Sequence, residues 1–128
     1  DISQEMLTAA KSKSLYRDTI LADLTADLAP IKNNYGAVVS AGTFTSGHLG
    51  PEPLENLLDI ARDGALFVIG VNKAFYLRTG FDPVIRDLEV LGAIADLKVI
   101  EIPMYNKKGH DHSSDTAYAI CYRKRLAG

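Results

Sequence analysis

The run ALFVIGV at residues 65–71 decides the fold, because it is a long apolar stretch that directly follows the turn signal Asp63-Gly64. Two shorter apolar runs precede it, TILA at 19–22 and AVVS at 37–40. Continuous apolar runs of this kind are typical of strands that are buried on both faces of a parallel sheet. The three runs therefore predict three neighbouring parallel strands.

Helical patterns lie between and beside these runs, so strands and helices alternate as in parallel α/β layering. Ser3 is a suitable N-cap for a helix over 4–13. The second helix begins near Pro51, carries an apolar stripe through Leu54, Leu57, Leu58 and Ala61, and ends at Asp63-Gly64. The third begins at Asp82-Pro83, faces Ile85, Leu88 and Leu91 inward, and stops at Gly92.

The chain ends in two predicted strands, 97–104 and 116–123, with a polar loop and no helix between them. Parallel neighbours need a long crossover, usually a helix, whereas antiparallel neighbours do not. These last two strands should therefore form an antiparallel hairpin. We predict one α/β domain over residues 1–128, with a mainly parallel sheet that ends in this hairpin.

Composition excludes several classes of function. The chain has 128 residues and a net charge of −2, so there is no basic excess for nucleic-acid binding. No apolar run approaches the roughly 20 residues of a membrane span, and no signal peptide is visible. Cys121 is the single cysteine, which fits a reducing compartment and a cytoplasmic location.

Small and acidic residues follow the predicted strands, where ligands of open α/β sheets bind. Ser40, Ala41 and Gly42 end the central strand, and their small size lets a ligand approach the backbone. Asp23 follows the run at 19–22, and Asp1 begins the chain. A carboxylate at either position offers two acceptor oxygens to ligand hydroxyl or amino groups.

The string Asp1-Ile2-Ser3-Gln4-Glu5-Met6-Leu7, then Asp23-Leu24, then Ser40-Ala41-Gly42, resembles the later motifs of class I S-adenosylmethionine-dependent methyltransferases. The segment AGTFTSGHLG at 41–50 is similar to a subgroup that includes the Williams–Beuren-region proteins. The resemblance extends from Asp1 to about Arg123 and implies a Rossmann-like methyltransferase fold.

The resemblance also implies a role for each matching residue. Asp1 would bind both ribose hydroxyls of S-adenosylmethionine, and Ile2 would pack on the adenine face. Asp23 would accept from the adenine amino group, and the backbone amide of Leu24 would contact the ring. Ser40, Ala41 and Gly42 would hold the methionine part, and the substrate-facing positions would be Thr43, His48 and Tyr105.

The sequence departs from the family in the glycine-rich loop, which the family has ahead of the position of Asp1. We therefore expect an N-terminally truncated fold that binds S-adenosylmethionine only when that part is present. Without it, this chain should bind the cofactor weakly or not at all. The unpaired edge at residues 38–39 should then either pair with the run at 19–22 or be covered by a second copy of the chain, and we favour the homo-oligomer.

Two functions remain open. One is methyl transfer to a small-molecule acceptor, since the motif of enzymes that methylate base amino groups is absent after the fourth strand of the family. The alternative is a degenerate or truncated member without catalysis that acts as a binding or interaction module. No catalytic base is identified from the sequence.

Other chemistries fit the residues less well. The loop at 42–50 lacks the Lys and Ser/Thr of a phosphate-binding P-loop. His110 and His112 lack further residues that would complete four metal ligands, so no metal site is predicted.

Overall fold

The computed structural model describes residues 1–28, 31, 35–44, 49–103 and 116–125. The described chain contains four strands and four helices. In chain order they are α1 (Gln4–Ser12), β1 (Tyr35–Phe44), α2 (Pro53–Leu58), β2 (Ala61–Asn72), α3 (Lys73–Arg78), α4 (Phe81–Val90), β3 (Ile94–Pro103) and β4 (Thr116–Lys124).

The strands form one mixed sheet in the order β1-β2-β4-β3. β1 and β2 are parallel, and β3 and β4 are antiparallel, as predicted. The expectation of a mainly parallel sheet is wrong, because β4 inserts between β2 and β3 and pairs antiparallel with both. One of the three described pairings is therefore parallel, although β1, β2 and β3 all point the same way.

The predicted strand at 19–22 is absent from this sheet. These residues are described as irregular chain, and the side chain of Leu21 is 57% exposed. Among the described residues, their ladder-type hydrogen bonds go to Asp1 alone. Two bonds to a single residue do not make a sheet strand, and of this run the half-buried Ala22 packs against the core.

The core lies between one face of the sheet and the helices α2, α3 and α4. From β2, the alternating side chains of Phe67, Ile69 and Val71 are buried on this face. Facing them are apolar side chains from the helices, including Leu54 of α2, Phe75 of α3 and Ile85 of α4. Alternation on the strand and helical spacing on the helices direct both sets to the same layer.

The opposite face of the sheet is exposed along much of its width. Val39 of β1 is 74% exposed, and Leu66, Ile100 and Ile102 on the other strands are also exposed. β1 is an outermost strand of the described sheet. Residues 38 and 39, which were expected at an unpaired edge, therefore lie in an edge strand.

Several helix boundaries follow local chemistry. The Ser3 hydroxyl accepts a hydrogen bond from the Met6 amide and caps α1, as predicted. α2 ends at Leu58, earlier than expected, and the predicted stop residue Gly64 lies within β2. There its positive φ of 80° accommodates the shift in register between β2 and β1. Gly92 follows α4 with φ 77°, but Leu91 is 80% exposed rather than buried.

Candidate functional site

The strands β1, β2 and β3 all end on the same side of the sheet. We call this border, which is formed by the strand ends and not by the outermost strand, the carboxyl edge. The pairing of Phe44 with Val71 brings the ends of β1 and β2 side by side. Pro103, at the end of β3, pairs with Thr116, the first residue of β4. Ligands of α/β proteins bind at such an edge, so the predicted residues are considered relative to it.

Asp1 is joined to the chain that leads to Asp23. The amino group of Asp1 donates to the Ile20 carbonyl at 3.1 Å, and the Ala22 amide donates to the Asp1 carbonyl at 2.8 Å. This is the bonding pattern of neighbouring parallel strands. Asp1 is therefore held beside the segment that leads to Asp23.

The carboxylate of Asp23 is ionised and locally held. Its Oδ1 accepts from the Thr25 amide at 2.8 Å and from the Thr25 hydroxyl at 2.6 Å. These hydrogen bonds from Thr25, the hydroxyl first, lower the pKa of Asp23. The side chain is exposed, so a ligand can reach the oxygen that Thr25 leaves free.

Leu24 connects this segment to the helical layer. Its carbonyl accepts from Asn56 Nδ2 of α2 at 3.0 Å, and its half-buried side chain packs against the core. Ile2, by contrast, is 71% exposed. An exposed apolar side chain next to Asp1 leaves a surface on which a flat ring can pack.

β1 is irregular over the residues that were expected to hold the methionine part. Its register with β2 shifts between Ser40 and Phe44, and bulges of this kind often lie beside binding sites. Gly42 has φ 80°, and a Cβ added there would meet no atom within 4 Å. Ala41 is exposed as well, so open space adjoins the backbone at this point.

Ser40 differs from its neighbours. Its Oγ is buried and has no hydrogen-bond partner within the described ranges. Its hydroxyl therefore does not face solvent, whereas Ala41 and Gly42 are exposed. Gly70 of β2 lies against it: a Cβ on Gly70 would be 3.3 Å from the Ser40 carbonyl oxygen. The absence of a side chain at position 70 therefore lets the two strands approach here.

The expected residues thus form two groups. Asp1, Ile2, Asp23 and Leu24 are brought together at the N-terminal segment, and Ser40, Ala41, Gly42 and the half-buried Thr43 are consecutive in β1. In the part of the chain that the structure describes, no hydrogen bond is found between the two groups. His48 and Tyr105 lie outside the described residues.

A polar cluster at the carboxyl edge was not predicted. Lys73 Nζ donates to Glu101 Oε1 at 2.9 Å, and the Thr116 hydroxyl donates to the same oxygen at 3.2 Å. The ammonium group of Lys73 also lies 5.9 Å from the centre of the Tyr118 ring. We call Lys73, Glu101, Thr116 and Tyr118 the Lys73 cluster. Its residues carry no common sequence signal, because they come from α3, β3 and β4.

A cleft of about 560 Å³ lies between α1 and residues 16–20. Asp1, Met6, Lys13 and Tyr16 are among the residues that line it. Its size is within the range of small-molecule pockets. Asp1 is the only expected cofactor residue in its lining, so the cleft adjoins the first group of residues without enclosing it.

Metal ligands do not converge in the described ranges: no group of three His, Cys, Asp or Glu side chains is placed to hold an ion. Within the same ranges, no helix combines the length and apolar character needed to cross a lipid bilayer.

Comparison of the sequence with known protein families finds no family that matches. Comparison with curated proteins finds no matching protein either.

Proposed function

We propose that this chain is the cofactor- and acceptor-binding portion of an S-adenosylmethionine-dependent methyltransferase that acts on a small molecule, with a Rossmann-like fold. One observation carries the proposal. The hydrogen bonds between Asp1 and residues 20–22 have the parallel pattern, which places Asp1 beside the segment that leads to Asp23. That arrangement is what a ribose contact and an adenine contact from one ligand require.

The residues present fit an adenosyl group in three respects. Asp1 has one carboxylate oxygen bonded to the Ser3 amide at 2.8 Å, so the other oxygen remains for hydroxyl donors. Ile2 presents an exposed apolar surface, and Asp23 presents an ionised acceptor. Ser40 fits through its backbone alone, since its hydroxyl is buried.

S-adenosylmethionine, when bound, supplies a sulfonium methyl group for in-line transfer to an acceptor O, N or C atom. The contribution of this chain is to bind and orient the reactants and to exclude water between them. Gly42 leaves room for close approach to the backbone of β1. Neither Lys73 nor Glu101 suits proton transfer at neutral pH, because their mutual hydrogen bond raises the pKa of Lys73 and lowers that of Glu101.

Calorimetric titration with S-adenosylhomocysteine, the demethylated product, tests the proposal on the full-length natural protein. We expect a saturable binding isotherm with one site per chain. S-adenosylhomocysteine is preferred to the methyl donor because it undergoes no turnover during the titration. A flat titration at millimolar ligand would contradict the proposed function.

A second candidate function, an interaction module without catalysis, is favoured by the exposed apolar face of the sheet. Val39 is 74% exposed on an edge strand, and β1 contains neither a charged residue nor proline. Charges and proline are the usual devices that prevent edge pairing. An uncharged strand can pair with its own copy across a two-fold axis, so the partner would be a second copy of this chain.

Sedimentation velocity over a wide concentration range tests this second candidate. We expect a dimer that dissociates in Val39→Lys, because a charge at the edge opposes pairing. Val90→Lys is the matched control, since Val90 is 85% exposed on α4, away from β1. A strictly monomeric mass at every concentration would rule out the dimer.

A further inference from the structure

The Lys73 cluster is assembled from three elements that are distant in sequence. Lys73 is the first residue of α3, Glu101 belongs to β3, and Thr116 and Tyr118 belong to β4. Lys73 and Glu101 are 28 residues apart, and Glu101 and Thr116 are 15 apart. Local sequence therefore does not explain their convergence, and the fold positions all four groups at the carboxyl edge.

The cluster carries two accessible charges of opposite sign. The side chains of Lys73 and Glu101 are 38% and 47% exposed. The hydrogen bond to Glu101 raises the pKa of Lys73, and the hydrogen bond from Lys73 lowers the pKa of Glu101. Both groups are therefore charged at neutral pH, so the cluster is suited to recognition of a charged ligand.

The aromatic wall of the cluster is fixed from behind. The Tyr118 ring makes an edge contact with the Tyr76 ring, at 4.9 Å between centroids and 85° between planes. Tyr76 is 3% exposed, and its hydroxyl donates to Asp82 Oδ1 at 3.0 Å. A ring held by a buried and hydrogen-bonded neighbour loses little freedom when a ligand packs on it.

We propose that the Lys73 cluster binds a small zwitterionic acceptor, with the ligand carboxylate on Lys73 and the ligand ammonium on Glu101. The role of this ligand as a methyl acceptor rests on the proposed function, whereas its binding to the cluster does not. A ligand with a single charge is attracted by one member of the pair and repelled by the other, which lies only 2.9 Å away. A ligand with both charges satisfies both members, so the repulsion selects against singly charged competitors.

The position of the cluster suits this role. Lys73 directly follows Asn72, the last residue of β2, and Val71 pairs with Phe44 at the end of β1. Glu101 pairs with Tyr118, and Tyr118 pairs with Val71, so Glu101 lies three strand spacings from β1, or roughly 14 Å at about 4.8 Å each. An acceptor on the cluster therefore lies at the same end of the sheet as Gly42, across β2 and β4 from the irregular part of β1.

Titration of the ¹⁵N-labelled full-length protein with each of the twenty free amino acids tests the inference. We expect at least one of them to shift the amide signals of Lys73, Glu101 and Thr116. The methyl ester of that amino acid lacks the carboxylate, and its N-acetyl derivative lacks the ammonium. Each derivative should bind at least about tenfold more weakly, the loss expected for one charged contact.

Variants assign the binding to the cluster. Lys73→Met and Glu101→Gln should each weaken binding of the same amino acid by at least about tenfold. Lys98→Met is the matched control, because Lys98 is exposed on β3 and, three residues before Glu101, faces the other side of the sheet. It should change the affinity by less than about twofold, as expected for an exposed charge outside the cluster.

The failure of this inference is separable from the failure of the proposed function. If no amino acid shifts these signals, or if the ester and N-acetyl derivatives bind as well as the free amino acid, the inference is overturned. An equal loss of affinity in Lys98→Met would overturn it as well. S-adenosylhomocysteine, titrated into the same sample, reports on the proposed function independently.

Discussion

Replacement of Phe81 by alanine is expected to lower the free energy of unfolding by about 3–5 kcal/mol, the range for removal of a fully buried phenylalanine. Phe81 is 0% exposed, and its ring contacts the rings of Phe44, Phe75 and Tyr76 at centroid distances of 6.0, 5.8 and 5.7 Å. These three rings come from β1 and α3. The cavity would therefore loosen the layer that holds both the end of β1 and the support of the Lys73 cluster.

Equilibrium unfolding in urea, followed by far-UV circular dichroism, measures this change. Leu77→Ala is the matched control, because Leu77 is 64% exposed on α3, and such surface changes usually stay within about 0.5 kcal/mol. A Phe81→Ala protein that unfolds at the same urea concentration as the wild type would contradict the described core.

Replacement of Asp23 by alanine is expected to weaken the binding of S-adenosylhomocysteine to the full-length protein by roughly tenfold to hundredfold. In the proposed site, removal of the carboxylate would leave the adenine amino group without its acceptor. It also removes the acceptor for the amide and hydroxyl of Thr25, which hold the turn after Asp23. Because these hydrogen bonds lower the pKa of Asp23, the wild-type carboxylate is a full acceptor at neutral pH.

Calorimetry on three variants separates these contributions. Asp23→Asn retains a carbonyl acceptor and should lose less affinity than Asp23→Ala. Asp18→Ala is the matched control, because Asp18 Oδ1 likewise accepts from the amide of its neighbour, Thr19, at 2.8 Å. Equal affinities for wild type and Asp23→Ala would remove Asp23 from the proposed site.

The sequence predicted those features that depend on short-range patterns. The apolar runs at 37–40 and 65–71 lie in β1 and β2, and the two final strands pair antiparallel as expected. The Ser3 cap was also predicted, because capping depends on residues within one helical turn. The parallel pairing of β1 with β2 followed from the helix between them.

Features that depend on distant pairing could not be predicted in this way. The run at 19–22 has strand composition, but a strand needs a partner, and its described partner is Asp1 alone. No local sequence pattern indicates that β4 inserts between β2 and β3. The burial of Ser40 Oγ also depends on which face of β1 meets the core, and the composition of the strand does not determine this.

The candidate site divides in the same way. Asp23 was predicted from its position after an apolar run and Asp1 from the resemblance, and Asp1 is hydrogen-bonded to residues 20 and 22 ahead of Asp23. The Lys73 cluster was missed because Lys73, Glu101 and Thr116 meet only through the order of strands in the sheet. Charged residues on strands and at helix ends are usually solvated surface residues. The spacing of Lys73 and Glu101 in the sequence did not distinguish them from such residues.

The most direct test of the account is to locate S-adenosylhomocysteine on the full-length protein by nuclear magnetic resonance. We expect the amide signals of Ile2, Leu24 and Gly42 to shift together with one saturation curve, because in the proposed site one ligand contacts both groups of residues. Signals of Val90 and Leu91, which are exposed just before the start of β3, at the opposite end of that strand from the carboxyl edge, should stay in place. An absence of shifts at saturating ligand, or shifts confined to other parts of the chain, would contradict the account.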